Sequence, residues 1–335
     1  MLESIGNREL IALDGLGVRL QGTYHRPADH AFPLPGSDPI ANRPGVLFLN
    51  SLSLPRAASG DSAVRWADFV AELGYPAFRI DLPGLGDSAG DASTDLLDSI
   101  NAGRFEAVTA AAMHELATRF ALPGMVIFGH CAGSVSALYA GASSPDCKGL
   151  ILLDPYFHLP QAKRSPFRER LSDWARRSSL GTLLSNLYDR VRNLRLSLQG
   201  EAPPANANTQ LLNRWKQVTA TRLPILLLQA PGIKAQGSKP RVGEFNYIDY
   251  VVKLAGRKSR VSAEFVEGAD HSFANREGRA AVQRHIAAWL VSHFPLPGPS
   301  LNVRGVSALR AGETQTDSEN TQTAPADRCC ALEGR

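Results

Sequence analysis

A cysteine lies between two glycines in the segment Gly129-His130-Cys131-Ala132-Gly133, directly after a short apolar run. The run, Met125 to Phe128, predicts a strand, and the small residues from Ser134 onward predict a helix. A strand, a very tight turn and a helix present a nucleophile at a sharp bend, where a neighbouring Cβ would collide with the strand or the helix. A cysteine thiol is partly ionised near neutral pH and strongly nucleophilic once a histidine takes its proton. The pattern predicts Cys131 as a nucleophile, and a buried cysteine between two accidental glycines is the alternative.

Polar or reactive residues end or follow four predicted strands, namely Asn50, Cys131, Asp154 and His271. In an open parallel sheet, ligands collect at the carboxyl ends of the strands, so we expect these residues to meet at one edge. His271 lies between the last predicted strand and the closing helix, which makes it the predicted general base. Of the seven competing histidines, two lie early in the chain, three lie within helical patterns, and His130 lies next to Cys131, where sequence neighbours point apart.

The acid of a triad is less sharply defined, and three possibilities are open. Triad order runs nucleophile, acid, histidine, but the segment after the strand ending at Gln229 has no carboxylate until Glu244. Asp154 ends the preceding strand and is the preferred acid, although capping the turn before Pro155 is its alternative role. The third possibility is a dyad without an acid, because a thiolate–imidazolium pair depends less on an orienting carboxylate than a serine does.

Two backbone N–H groups are predicted to stabilise an oxyanion. Ala132 follows the nucleophile at the start of a helix, and its N–H is the first donor. Leu52, in the turn after the apolar run that ends near Asn50, supplies the second.

Composition excludes several classes of function. The chain has 335 residues, 44% of them apolar and 20% charged, and a net charge of +4, too small to indicate a nucleic-acid partner. No apolar stretch approaches the roughly 18 residues of a membrane span, and the first residues do not resemble a signal peptide, so the cytoplasm is the expected location. The four cysteines show no metal-ligand spacing, and neither a metal nor a cofactor is expected.

Strand-like apolar runs alternate with helical patterns along most of the chain, which predicts an α/β fold with a mostly parallel central sheet and helices on both faces. A hairpin at the sheet edge is predicted near the start, from two short runs separated by Gly15-Leu16-Gly17. About 70 residues with helical patterns and no strand signal are best explained as an inserted lid. The predicted division is core 1–155, helical lid 156–222, core 223–294 and a disordered tail 295–335.

The chain resembles the α/β-hydrolase superfamily over roughly residues 10 to 293. The resemblance rests on Arg79 to Ser88, on the bend around Cys131 and on Gly268-Ala269-Asp270-His271-Ser272-Phe273. More narrowly, it is similar to the exosortase A system-associated hydrolases, bacterial proteins whose nucleophile is also a cysteine. Those relatives are expected to carry an aspartate where this chain has Pro231-Gly232-Ile233, and an asparagine in place of Asp154. The resemblance therefore implies an acid that has moved between adjacent strand ends.

These features allow three functions. The first is hydrolysis of an ester or thioester through an acyl-enzyme, as in a thioesterase. The second is an acyltransferase that passes the acyl group to another acceptor, and the third is a non-catalytic binding protein on a hydrolase scaffold. The expected substrate is a small acyl ester or thioester. Coenzyme A or acyl carrier protein is one candidate carrier, because residues 161–197 hold nine Lys or Arg against three acids. Alternatively, these basic residues lie on a solvated helix face and bind no carrier.

Overall fold

The computed structural model describes residues 7–28, 43–159, 203, 206–230, 246–273 and 275–296. In these ranges the chain forms eight strands and seven α-helices around one sheet. The strands are β1 (Arg8–Gly15), β2 (Val18–His25), β3 (Gly45–Phe48), β4 (Ala77–Ile80), β5 (Met125–His130), β6 (Cys147–Leu153), β7 (Ile225–Gln229) and β8 (Val261–Phe265). The helices are α1 (Ser62–Glu72), α2 (Leu96–Asn101), α3 (Glu106–Arg119), α4 (Ala132–Ser143), α5 (Thr209–Ala220), α6 (Tyr247–Ala255) and α7 (Arg276–His293).

The sheet has the strand order β1-β2-β4-β3-β5-β6-β7-β8. The β1–β2 hairpin lies at one edge and pairs antiparallel with β4, and all further pairs are parallel. Parallel strands joined by helical crossovers bring their carboxyl ends to the same edge. The predicted α/β fold with a mostly parallel sheet is confirmed, and so is the hairpin at its edge.

Successive side chains of the central strands pack into two separate apolar layers. In β5, Met125 and Ile127 belong to the layer under α3, α4 and α5, whereas Val126 and Phe128 belong to the layer under α1 and α7. All six β5 residues are buried, because helices cover both faces of the sheet. This burial on both faces explains why β5 begins as a continuous apolar run in the sequence. It also fixes the strand from which the bend at Cys131 starts.

The pattern from Leu96 to Phe120 predicts one long helix, and that prediction is wrong. The structure has two helices, α2 and α3, separated by a turn at residues 102–105. Gly103 has a φ of 83°, and a Cβ there would lie 3.0 Å from the ring of Tyr139. A glycine that must adopt the left-handed region ends the first helix, although apolar residues continue at helical spacing on both sides.

Several predicted elements fall largely outside the described residues. They include the lid helices at 167–177 and 180–194, the basic residues of 161–197, and the tail from residue 297. From the predicted lid, α5 is described, and the helical pattern from Thr209 to Thr221 predicts its bounds to within one residue at its end. No helix in the described ranges is long and apolar enough to cross a membrane.

Candidate active site

Cys131 occupies the bend between β5 and α4 with φ 52° and ψ −117°. Residues other than glycine rarely adopt positive φ, so the bend is held by its surroundings. A Cβ at Gly129 would lie 2.3 Å from the carbonyl oxygen of Gly133, and a Cβ at Gly133 would lie 2.6 Å from the carbonyl oxygen of Asn50. Both flanking glycines are therefore required by close backbone approach, as the sequence pattern predicts.

Hydrogen bonds tie this bend to the neighbouring strand β6. The Cys131 N–H donates to the carbonyl of Leu153 (2.9 Å). The Ser134 hydroxyl donates to the carbonyls of Gly129 (2.8 Å) and Leu153 (3.0 Å) from a buried position in the first turn of α4. These bonds fix the Cys131 backbone, and Cys131 as a residue is partly exposed.

His271 and Asp154 are in direct contact. Asp154 follows β6 with a φ of 46°, and its N–H donates to the carbonyl of Leu228 (2.7 Å). The Nδ1 of His271 donates to Oδ2 of Asp154. An imidazole that carries its proton on Nδ1 presents Nε2 as an acceptor, which is the tautomer that a general base needs. The side chains remain accessible, with 36% of His271 and 17% of Asp154 exposed.

His130, the residue before Cys131, is linked to the same histidine. Its Nε2–H donates to the backbone carbonyl of His271 (2.6 Å), and the two ring centroids are 5.3 Å apart. Burial, together with the charge of His271, lowers the pKa of His130 to about 4. The His130 ring is therefore neutral near pH 7, and it brings the backbone of His271 next to the bend.

The two predicted oxyanion donors lie at the expected ends of β3 and β5. Ala132 is the first residue of α4, where backbone N–H groups have no partner within the helix and the helix dipole favours negative charge. Leu52 lies in the loop after β3 with a φ of 50°. Among the described residues, neither N–H has a hydrogen-bond acceptor.

A buried polar cluster supports the loop that carries Leu52. The Asn50 amide donates to the carbonyl of Leu54 (2.9 Å) and to Asp81 (2.8 Å), and its oxygen accepts from the N–H of Leu82 (2.7 Å). Asp81 is fully buried and also accepts from the backbone and guanidinium of Arg56. Asp81 thus holds the turns that surround it.

Sequence reasoning missed Arg56 in this cluster. Its guanidinium also contacts Asp87 (2.7 Å) and the hydroxyl of Thr23 (3.2 Å), and its carbonyl accepts from Arg79 (3.1 Å). A single arginine in a loop has no periodic signal, so only the three-dimensional placement identifies it.

Glu244, the alternative acid, lies outside the described residues. Among those that are described, no group of three or more His, Cys, Asp or Glu side chains has the arrangement of a metal site. Of the predicted residues, the structure brings Asp154 and His271 into contact and places His271 beside the residue that precedes Cys131.

Comparison with known proteins gives a consistent result at the level of the fold. The model of the alpha/beta hydrolase family matches residues 46–285. An esterase from Pyrococcus furiosus is 12% identical, with a TM-score of 0.55 over 86% of this chain and 91% of that one. A hypothetical protein from Pseudomonas aeruginosa is 16% identical, with a TM-score of 0.52 over 88% and 95%.

A third solved structure, an alpha/beta hydrolase from a Penicillium species, is 14% identical, with a TM-score of 0.51 over 86% of this chain and 99% of that one. No curated protein matches the sequence. At these identities the structural similarity supports the fold and not a particular substrate.

Proposed function

The chain belongs to the α/β-hydrolase family, and from this premise we propose that it cleaves an ester or thioester through an acyl-enzyme on Cys131. The observation that carries the proposal is the contact between His271 Nδ1 and Asp154, next to a cysteine held at positive φ. This contact leaves the Nε2 lone pair of a neutral His271 available for a proton.

In the proposed reaction, His271 Nε2 takes the proton of the Cys131 thiol, and Sγ attacks the carbonyl carbon of the substrate. The carbonyl oxygen becomes an oxyanion, which the N–H groups of Ala132 and Leu52 stabilise. The tetrahedral intermediate collapses, and the departing alcohol or thiol takes the proton from His271. Water then donates a proton to His271 and attacks the thioester, which releases a carboxylic acid and restores the thiol.

Asp154 is the proposed acid, in preference to Glu244. Its carboxylate fixes the His271 ring and stabilises the imidazolium that forms in each half-reaction. The narrower resemblance to the exosortase A system-associated hydrolases remains a prediction, and Asp154 is the position at which this chain departs from them.

Acyl transfer to an acceptor other than water is the second candidate. The cysteine at the bend favours it, because a thioester intermediate can persist long enough to meet an amine, alcohol or thiol. Both candidates share the first half-reaction, so the fate of the acyl-enzyme separates them.

The acyl donor in this proposal is small, and the basic residues of 161–197 favour an anionic carrier such as coenzyme A or acyl carrier protein. Attraction of a carrier to exposed charges weakens as salt screens it. The KM for an acyl-coenzyme A should therefore rise with salt while that for a neutral aryl ester stays constant. Equal salt dependence of the two KM values would mean that these residues do not attract the carrier.

The decisive experiment is intact-mass analysis after incubation with a panel of aryl esters and acyl thioesters. The parent protein should gain one acyl group, Cys131→Ala should gain none, and His271→Ala should gain it far more slowly. Cys147→Ala is the matched control, because burial raises the pKa of the Cys147 thiol to about 12 and makes it a poor nucleophile.

Loss of the adduct in water identifies a hydrolase, and loss only after addition of an amine, alcohol or thiol identifies a transferase. A panel that gives neither an adduct nor turnover on the parent protein would favour a non-catalytic binding protein, and an adduct that survives Cys131→Ala would contradict Cys131 as the nucleophile.

A further inference from the structure

We infer that His130 is a positioning residue that holds the backbone of His271 in register with Cys131, an inference that rests on the proposed function. The residue before the nucleophile then has a structural role. It anchors the loop that carries the general base to the strand that carries the nucleophile.

Two neighbouring strands hold His271 at two different points. Asp154, after β6, accepts a hydrogen bond from the ring, and His130, at the end of β5, donates one to the carbonyl (2.6 Å). β5 and β6 are adjacent and parallel, and His130 pairs in register with Leu153. A ring contact alone would leave the backbone free to rotate about the imidazole, whereas two contacts define both its position and its orientation.

Several other hydrogen bonds of this loop are local, and its hydrogen bond to β7 lies at its start, where the Val266 N–H donates to the carbonyl of Gln229 (2.9 Å). Within residues 266–273, the Ala269 N–H donates to Val266 (3.2 Å), the Phe273 N–H donates to Asp270 (3.1 Å), and the Ser272 hydroxyl bonds to Asp270 (2.7 Å). These bonds shape the turn without connecting it to the bend at Cys131. The buried Phe273 ring packs edge-on against His130, 5.8 Å between centroids, so the imidazole also makes a ring contact between the loop and the strand.

The protonation state of His130 allows its Nε2–H to donate a hydrogen bond at every pH at which the site works. Only 7% of the residue is exposed, and the charged or titratable groups near it are Asp154, Asp270, His271 and the adjacent Cys131. A carbonyl oxygen can only accept, so the proton of neutral His130 lies on Nε2. Since the pKa of His130 is about 4, this donor does not change across the pH range in which a cysteine–histidine pair works.

Fixed geometry has a large effect on such a pair. A displacement of about 1 Å in a reacting group can cost about 10²-fold in rate. Loss of the carbonyl anchor would let the imidazole drift from the thiol, so that less thiolate forms at low pH. The reactivity of Cys131 toward an alkylating reagent reports this directly, without any substrate.

The test compares His130→Leu, which removes the donor, with His130→Gln, whose amide nitrogen reaches the position of Nε2. Cys131 alkylation by iodoacetamide is followed from pH 5 to pH 9 by peptide mass analysis, alongside near-ultraviolet circular dichroism of each variant. The parent and His130→Gln should react well below pH 8.5, the pKa of an ordinary thiol. His130→Leu should react about 10²-fold more slowly at pH 6, with its profile moved toward that of an ordinary thiol.

A folded His130→Leu variant with the profile of the parent overturns the inference and leaves the proposed function intact. An ordinary thiol profile in the parent itself overturns the proposed function and, with it, this inference. If His130→Leu does not fold, His130→Asn replaces it, because its amide is too short to reach the carbonyl. His130→Asn should then behave differently from His130→Gln, and identical profiles for the two would contradict the inference.

Discussion

Two histidines in different parts of the molecule donate Nδ1–H to an aspartate, but their surroundings differ. His271 and Asp154 lie at the carboxyl ends of the parallel strands, beside the Cys131 bend. His25, on β2, donates to Asp68 on α1 (2.8 Å) and pairs in the sheet with Ala77, the first residue of β4. The second pair is therefore toward the amino ends of the parallel strands, away from the edge where ligands collect.

The two pairs differ in the surroundings of the second ring nitrogen, Nε2. The Nε2 of His25 accepts a hydrogen bond from the Arg79 guanidinium (2.8 Å), and only 1% of the His25 side chain is exposed. Burial and the charge of Arg79 lower the pKa of His25 to about 4. His271, with 36% of its side chain exposed, contacts solvent. A histidine–aspartate pair is thus compatible with catalysis only when its Nε2 can reach a substrate or nucleophile.

The largest expected difference comes from substituting the two histidines. We expect His271→Asn to lower turnover by about 10⁴-fold or more with little change in stability, because the proton acceptor is lost. His25→Asn should keep the turnover of the folded protein but lose about 1–3 kcal/mol of unfolding free energy, since Arg79 loses a buried acceptor. Turnover with an aryl ester and urea unfolding measure the two effects. Equal loss of turnover in both variants would remove the distinction drawn between the pairs.

A second comparison concerns the two aspartates. Asp154→Asn should reduce turnover by about 10²-fold through misorientation of the imidazole, less than the about 10⁴-fold typical of a serine triad. Asp68→Asn should leave turnover unchanged and reduce stability, because His25 and Arg8 lose the charge and one of the two oxygens of their acceptor. Glu244→Gln is the matched control for the alternative acid. If Glu244→Gln slows turnover more than Asp154→Asn does, the acid is Glu244, and if neither does, the site is a dyad.

The sequence predicts the parts of this structure that depend on local patterns. Buried strands appear as apolar runs, and the glycines around Cys131 are needed because a Cβ would meet backbone four or five residues away, or backbone just after β3. The sequence also predicts that Asp154 lies at the carboxyl edge of the sheet, where the structure places it, but only as one of three possibilities for the acid. The choice among them depends on how far the His271 loop reaches, which is a tertiary property, and the role of Asp154 stays a prediction.

Contacts between distant elements have no such pattern. His25 and Asp68 are 43 residues apart, and their hydrogen bond follows from the packing of α1 against the sheet. The same holds for Arg56, whose partners come from β2, from the end of β4 and from the loop after it. The sequence pattern does not indicate the turn at Gly103 for another reason, because helical spacing continues across it. Only the close approach of Tyr139 in the structure shows why glycine is needed there.

The pH dependence of stability provides a third, smaller effect. The folded-state pKa values of His25 and His130 are about 4, below the ordinary 6.5 of an unfolded chain. Between these values the unfolded chain binds protons that the folded protein does not, so unfolding free energy falls as pH drops from 6.5 to about 4. Each histidine contributes a slope of at most about 1.4 kcal/mol per pH unit.

Urea unfolding at pH 7.0 and pH 5.0 measures this slope. His25→Asn should flatten it by the share of one histidine, and His130→Gln by a similar share, although His158 and His285 contribute with the same sign because burial lowers their pKa values. A slope unchanged in both variants would mean that neither histidine is kept neutral by the fold, contrary to the account of the His25 pair.

The smallest effect is expected at a third pair, His114 with Asp146 (3.0 Å), which shares the Nδ1 contact but not the environment. The His114 side chain is 74% exposed on α3, so water competes for both groups and salt screens them. We expect His114→Ala to change the unfolding free energy by less than about 1 kcal/mol and turnover not at all. The three pairs then form a series in which the same hydrogen bond is tested at a solvated surface, inside the core and at the strand ends. A loss of turnover in His114→Ala would show that the Nδ1 contact itself, rather than its location, governs activity.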